Sequence, residues 1–244
     1  MAIPILPIVL TTAAAGIAAL IGYRYIQGDP PVTGFLSFGD PVSSFAAKHQ
    51  IDPRLLQAVI KVESAGTALV NGRPVIRFEV HRLEREARKL GKSRELAARL
   101  TRNSIPADEP WRGHMLDSKP LHGQRGETLA QGQRREHEAL AYAREVLGDE
   151  AALRSTSIGL GQIMGFNAQT AGYSSALAMY EEAKKGREAQ VGQFLRLVEG
   201  DKDGKTLAAL QAGDLPAFAY YYNGAKIGKP QNAAYVAKVK RAIG

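Results

Sequence analysis

The chain has 244 residues, 45% of them hydrophobic, which is enough for one good-sized core or one domain with an appendage. Its formal net charge of +8 suits a polyanionic partner: nucleic acid, anionic lipid or an acidic cell-wall polymer. The basic residues are spread along helical stretches with no contiguous block, so no nucleic-acid partner is expected. The absence of cysteine excludes disulfides and Cys-based metal sites.

Ala2 to Tyr23 carries no charged side chain and ends at Arg24. Its length suits a bilayer span. Pro4 and Pro7 shorten the dependable helix to Ile8–Tyr23, so the span is marginal. No Lys or Arg precedes it, which argues against a cleaved secretory signal. Residues 1–27 are therefore read as a membrane anchor or releasable signal-anchor. A cleaved signal and an apolar tail packed on another protein are the alternatives. Residues 28–42, rich in Pro and Gly, read as a linker, and residues 43–244 as the folded domain.

From Ser43 the pattern is mostly helical. Asp52 to Gly66 reads as a helix, with Asp52 as N-cap, Pro53 in the first helical position and Gly66 as the stop. Leu56, Val59 and Ile60 form its apolar stripe, and Glu63 takes the next position of that stripe. A carboxyl on a buried face is costly when charged, so burial raises its pKa and suits it to donate a proton. A helix-end Glu that turns to solvent or pairs with an Arg is the plainer reading.

Val70 to His81 suggests a short hairpin, from its Asn71-Gly72 turn and β-branched residues. On such a strand Glu79 and His81 share one face. Residues 101–134 read as a polar, irregular insertion, in which Trp111 and His114 are assigned to loop packing or solvent. Helical periodicity returns over 136–147, 170–183, 189–198, 206–211, 215–222 and 232–243.

Three short strings stand in order: Glu63-Ser64, then Ser157-Ile158-Gly159-Leu160-Gly161-Gln162-Ile163-Met164, then Tyr221-Tyr222-Asn223-Gly224. Each alone reads as a turn or helix end. Together they resemble the lysozyme-like superfamily of goose-type lysozymes and soluble lytic transglycosylases. The strings Gly72–His81, Ala151–Ser157 and Gly161-Gln162-Ile163-Met164-Gly165-Phe166-Asn167 resemble more closely the N-acetylmuramidase domain of phage endolysins, over about Ser43 to Ile243. Ile158 departs from that pattern, which usually has Trp there, so an aromatic beside the sugar cleft is expected to be missing.

The resemblance implies a mainly α, lysozyme-like α+β fold with a short β-hairpin beside the catalytic helix. It also implies a muramidase that hydrolyses the β-1,4 bond between N-acetylmuramic acid and N-acetylglucosamine in peptidoglycan. Glycoside hydrolysis needs an acid on the leaving oxygen and help on the far face of the sugar. Glu63 is the expected acid, a carboxyl tuned by an apolar pocket as in lysozyme. Glu79 is the candidate second carboxylate, with a salt bridge to Arg73 or Arg77 as its alternative role. Glu79 and His81 bring only two ligands together where a metal needs three or four, so no metal and no cofactor are expected. Gln162 suits the N-acetyl and hydroxyl groups of an amino sugar. Tyr222 either hydrogen-bonds Glu63, stacks on a sugar or packs in the core. Asn223 shapes its turn and reaches substrate. Arg154 and Asn167 are assigned to a buried helix-end pair and a cap.

Two other readings remain. A lytic transglycosylase would use the same Glu63 and need no second carboxylate. A phage virion or tail component would use the domain mainly to bind the wall. The expected location is the inner membrane or periplasm of an infected host, or the virion.

Overall fold

The computed structural model describes residues 40–64, 67–103, 113–121 and 127–244. The expected anchor, nearly all of the linker, Gly66 and Trp111 lie outside the described residues. No helix among the described residues is long and apolar enough to cross a membrane.

Helix α1 (Asp40–His49) leads into α2 (Pro53–Ser64). Asp52 caps α2 by accepting the Arg54 backbone N–H on Oδ1 at 2.8 Å. Leu56, Val59, Ile60 and Glu63 are all buried, as their spacing predicts.

The hairpin is shorter than expected. Strands β1 (Leu69–Val70) and β2 (Arg73–Pro74) pair across Asn71 and Gly72, whose φ values of 49° and 74° supply the left-handed turn. Strand β3 (Ile76–Phe78) then leaves the hairpin and pairs antiparallel with β7 (Thr156–Ile158), which pairs in turn with β8 (Ile163–Met164). Glu79 is not a strand residue. It is the N-cap position of α3 (Val80–Lys89), and His81 lies in the first turn of that helix.

The free edge of β3 is covered by side chains of α5 (Leu129–Leu147) rather than by another strand. Gln133 accepts from Ile76 N–H at 2.8 Å and donates to Ile76 C=O at 2.9 Å. Glu136 accepts from Phe78 N–H at 2.8 Å, and His137 Nε2 lies 3.0 Å from the Pro74 carbonyl. Positions i, i+3 and i+4 of one helix face thus satisfy backbone groups that water cannot reach. Gln133→Ala leaves both Ile76 groups unpaired and is expected to cost about 2–4 kcal/mol. A fall in the urea midpoint at unchanged slope checks it; a midpoint near wild type means that water replaces the amide.

The described residues of the 101–134 region are more regular than their polarity suggests. Strands β4 (Leu100–Arg102), β5 (His114–Leu116) and β6 (Lys119–Pro120) form an antiparallel sheet following the short α4 (Ser93–Ala97). The turn between β5 and β6 uses Asp117 and Ser118 at positive φ, and Arg99 binds both Asp117 and Glu138. Buried Leu100, Leu116 and Leu121 join this sheet to the core. Thr128 and Gln131 form a capping box that starts α5 before the expected position 136.

The remaining helices are α6 (Asp149–Arg154), α7 (Ala176–Ala183), α8 (Arg187–Gly200), α9 (Lys205–Gln211), α10 (Leu215–Asn223) and α11 (Pro230–Ile243). Helix α7 begins at Ala176 rather than at 170, because Ser175 caps it on the Ala178 N–H. Arg154 is exposed rather than paired in the interior. Ile158 is 1% exposed, opposite Ile76 and Ile163 in the β3–β7–β8 sheet. That position belongs to the core, so isoleucine here does not remove an aromatic from an open cleft. The architecture is the mainly α, lysozyme-like α+β arrangement that was expected.

Candidate active site

Glu63 sits in the last turn of α2, facing α10 and α11. Asn223, the last residue of α10, donates its amide to Glu63 Oε1 at 3.3 Å. Gly224 follows at φ 70°, a left-handed cap that lets the chain turn away directly after Asn223. From α11, Tyr235 and Lys238 approach the same carboxyl. Burial pushes the Glu63 pKa up to about 7, with Tyr235, Asn223 and the Lys238 charge opposing the rise. The Tyr235 hydroxyl is not seated in a formed hydrogen bond, and Glu63 Oε2 is buried without a hydrogen-bond partner. The carboxyl is therefore half protonated near neutrality, with one oxygen uncommitted.

The segment 159–162 lines the approach to Glu63. Gly159 at φ 70° and Gln162 at φ 45° make the tight turn. Buried Gln190 of α8 fastens it, accepting from Leu160 N–H at 2.8 Å and donating to the carbonyls of Ala68 and Ala183. Leu160 and Gly161 join Ile60, Val191 and Phe194 around a recess of about 170 Å³ that includes Glu63. Gly161 also borders a recess of about 310 Å³ whose wall carries Gln162, Asn167, Asp201 and Tyr222.

Gln162 donates to Gly159 C=O at 2.9 Å, while its buried Oε1 has no partner. Tyr222 stacks on Phe218 at 5.4 Å and donates its hydroxyl to Gly161 C=O at 2.9 Å. Its main contacts are core contacts, and it supports the Gly161 turn rather than bonding Glu63. Burial, with the Glu63 charge beside it, pushes its phenol well above the ordinary range. The tyrosine that faces Glu63 is Tyr235. Asn232, Tyr235 and Val239 mark the buried stripe of α11, so an aromatic on that stripe was the available signal.

Glu79 lines neither recess. It is fully buried, with Oε1 3.4 Å from Arg77 Nε and Oε2 3.3 Å from His81 Nδ1. The salt bridge to Arg77, its alternative role, is present. Burial raises its pKa, but the adjacent His81 and the charges of Arg77 and His114 outweigh it and hold the carboxyl below its ordinary value. His114 is 2% exposed in β5 and reaches the same carboxylate at 4.0 Å, in place of the loop or solvent position assigned to it.

An N-acetylmuramidase family model matches residues 52–243, from the α2 N-cap to the end of α11. The chain belongs to the N-acetylmuramidase family. This muramidase is a glycoside hydrolase that degrades peptidoglycan. It is similar to the crystal structure of the Burkholderia AP3 phage endolysin, with TM-score 0.61 and 28% identity over 93% of this chain and 84% of that one. No curated protein matches the sequence.

Proposed function

We propose that Glu63 is the general acid that protonates the leaving oxygen of the β-1,4 bond between N-acetylmuramic acid and N-acetylglucosamine. One observation carries the reading: a carboxyl 2% exposed, with its pKa raised to about 7 and an uncommitted oxygen, in a recess walled by Ile60, Leu160 and Phe194. Asn223 positions the carboxyl, and Gln162 and Tyr222 shape the adjoining recess for substrate. Glu79 is read as a structural anchor of the β3–α3 junction, since it has no exposed surface and is paired to Arg77.

That placement favours a second reading of the far side of the reaction. With Glu79 lining neither recess, a neighbouring substrate group replaces the second carboxylate, as in a lytic transglycosylase. Mass spectrometry of digested peptidoglycan separates the two: reducing ends mean hydrolysis, and anhydro ends mean transglycosylation.

An endolysin role, with residues 2–23 holding the chain at the inner membrane or in the virion, is proposed from the uncharged N-terminal run. Deleting residues 1–27 is expected to give a soluble, active enzyme. Aggregation or loss of activity on deletion would place the segment in the core or in a protein interface.

A further inference from the structure

Three buried metal-ligating side chains converge away from Glu63. Glu79, His81 and His114 each offer one ligand atom, and these atoms lie within 4.8 Å of one another. They come from the N-cap position and first turn of α3 and from β5 in the 101–134 region. The separations are 3.3 Å for Glu79 Oε2 to His81 Nδ1, 3.4 Å for His81 Nδ1 to His114 Nε2, and 4.0 Å for Glu79 Oε2 to His114 Nδ1. Donors bound tetrahedrally at about 2.0–2.1 Å from zinc lie about 3.3 Å apart. With His114 bound through Nε2, the pairs at 3.3 and 3.4 Å are near that spacing, and all three donors stay within 4.8 Å of one another.

Hydrogen bonding alone fits this arrangement poorly. His81 Nδ1 faces both Glu79 and His114. Protonated, it donates fully to only one of them. Deprotonated, it sets a lone pair against a carboxylate. Both Glu79 oxygens are buried, and neither has a well-formed hydrogen bond. A divalent cation among the three would bind one donor atom from each and so satisfy buried groups that lack good partners. Arg77 lies against Oε1 and leaves Oε2 for the ion, which is how an outer partner orients a ligating carboxylate.

We propose that Glu79, His81 and His114 form a structural site for a divalent transition metal, with zinc as the best fit to two imidazoles and one carboxylate. A water completes the fourth position. The ion clips the β4–β5–β6 sheet to the start of α3. The reaction at Glu63 needs no part of it.

The test uses the full chain, purified without a metal-affinity tag. Elemental analysis is expected to find about one zinc per chain, and cobalt(II) substituted for it to show a tetrahedral visible spectrum. Stripping with EDTA should lower the Tm, and added zinc should restore it at one equivalent. His114→Gln should weaken zinc binding at least about 100-fold, beyond the usual effect of losing only an outer partner, and make the Tm insensitive to EDTA. A wild-type chain that binds no zinc, cobalt or iron and whose Tm ignores both EDTA and zinc overturns the proposal. So does stoichiometric binding that survives His114→Gln. If that variant does not fold, the wild-type chelation experiment still decides.

Discussion

Glu63→Gln is expected to lower peptidoglycan turnover by about 10²–10⁴-fold, and at the same time to make the protein more stable above neutral pH. Glutamine keeps the size of the side chain and can still meet the Asn223 amide, but it has no proton to deliver. Wild-type activity should also fall as pH rises through about 7, where the acid is lost. The stability effect has the opposite sign to the usual carboxylate case. The folded pKa of Glu63 is raised from 4.5 to about 7, so between those values the folded state holds a proton that the unfolded state has released. Stability therefore declines as pH rises from 4.5 to 7 and levels off above that range. Integrated over the window, the cost is up to about 3 kcal/mol, which the glutamine variant avoids. Thermal melts of both proteins at pH 4.5 and 8 check this. Undiminished lysis by Glu63→Gln would remove the acid assignment. A variant less stable than wild type at pH 8 would mean that burial of the charge is already compensated.

Such a trade of stability for function is expected where a titratable group sits on a core stripe. It was also the feature that the sequence displayed most openly. The stripe Leu56, Val59, Ile60, Glu63 repeats at helical spacing, so local periodicity alone placed the Glu63 carboxyl inward. The Gly159–Gln162 and Tyr222–Gly224 strings were legible locally only as turns, since left-handed backbone demands Gly or a tolerant polar residue, and their place in the site came from the resemblance to the lysozyme-like superfamily. What was not legible depends on pairing across long stretches of chain. β3 reads as the second arm of a hairpin, yet Ile76 pairs with the distant Ile158 of β7, and the other edge of β3 is held by Gln133 and Glu136. His114 reads as one polar residue in a polar loop. Only the fold brings it 3.4 Å from His81. Tyr235 and Lys238 read as ordinary positions on a terminal helix, because nothing local says that α11 packs against the end of α2. The Thr128–Gln131 capping box was local and readable, and it would have placed the start of α5 correctly.

Gly165→Ala is expected to be among the most damaging substitutions to the fold, although it adds one methyl group. Gly165 opens a short 3-10 turn (Gly165–Asn167) directly after β8. A Cβ at this position would fall 2.0 Å from the Leu153 carbonyl oxygen, 2.7 Å from its carbon and 3.1 Å from Arg154 Cα. All three are backbone atoms at the end of α6, so no side chain can rotate to make room. Relief requires α6 and the turn to separate, in a core where Leu153 is fully buried. Overpacking against movable side chains costs about 1–3 kcal/mol, and a clash with fixed backbone should exceed that, reaching about 4 kcal/mol or more. The displacement also reaches the active site, because Gln162, Ile163 and Met164 lead directly into Gly165 and line the larger recess. Activity per folded molecule should therefore fall as well, more through substrate binding than through the acid, whose α2, α10 and α11 supports do not include this turn. Urea unfolding of Gly165→Ala, with KM and kcat measured at low temperature where it remains folded, tests both parts. A near-wild-type urea midpoint would show that α6 and the turn can part without loss, and would remove close backbone approach as the reason for glycine at this position.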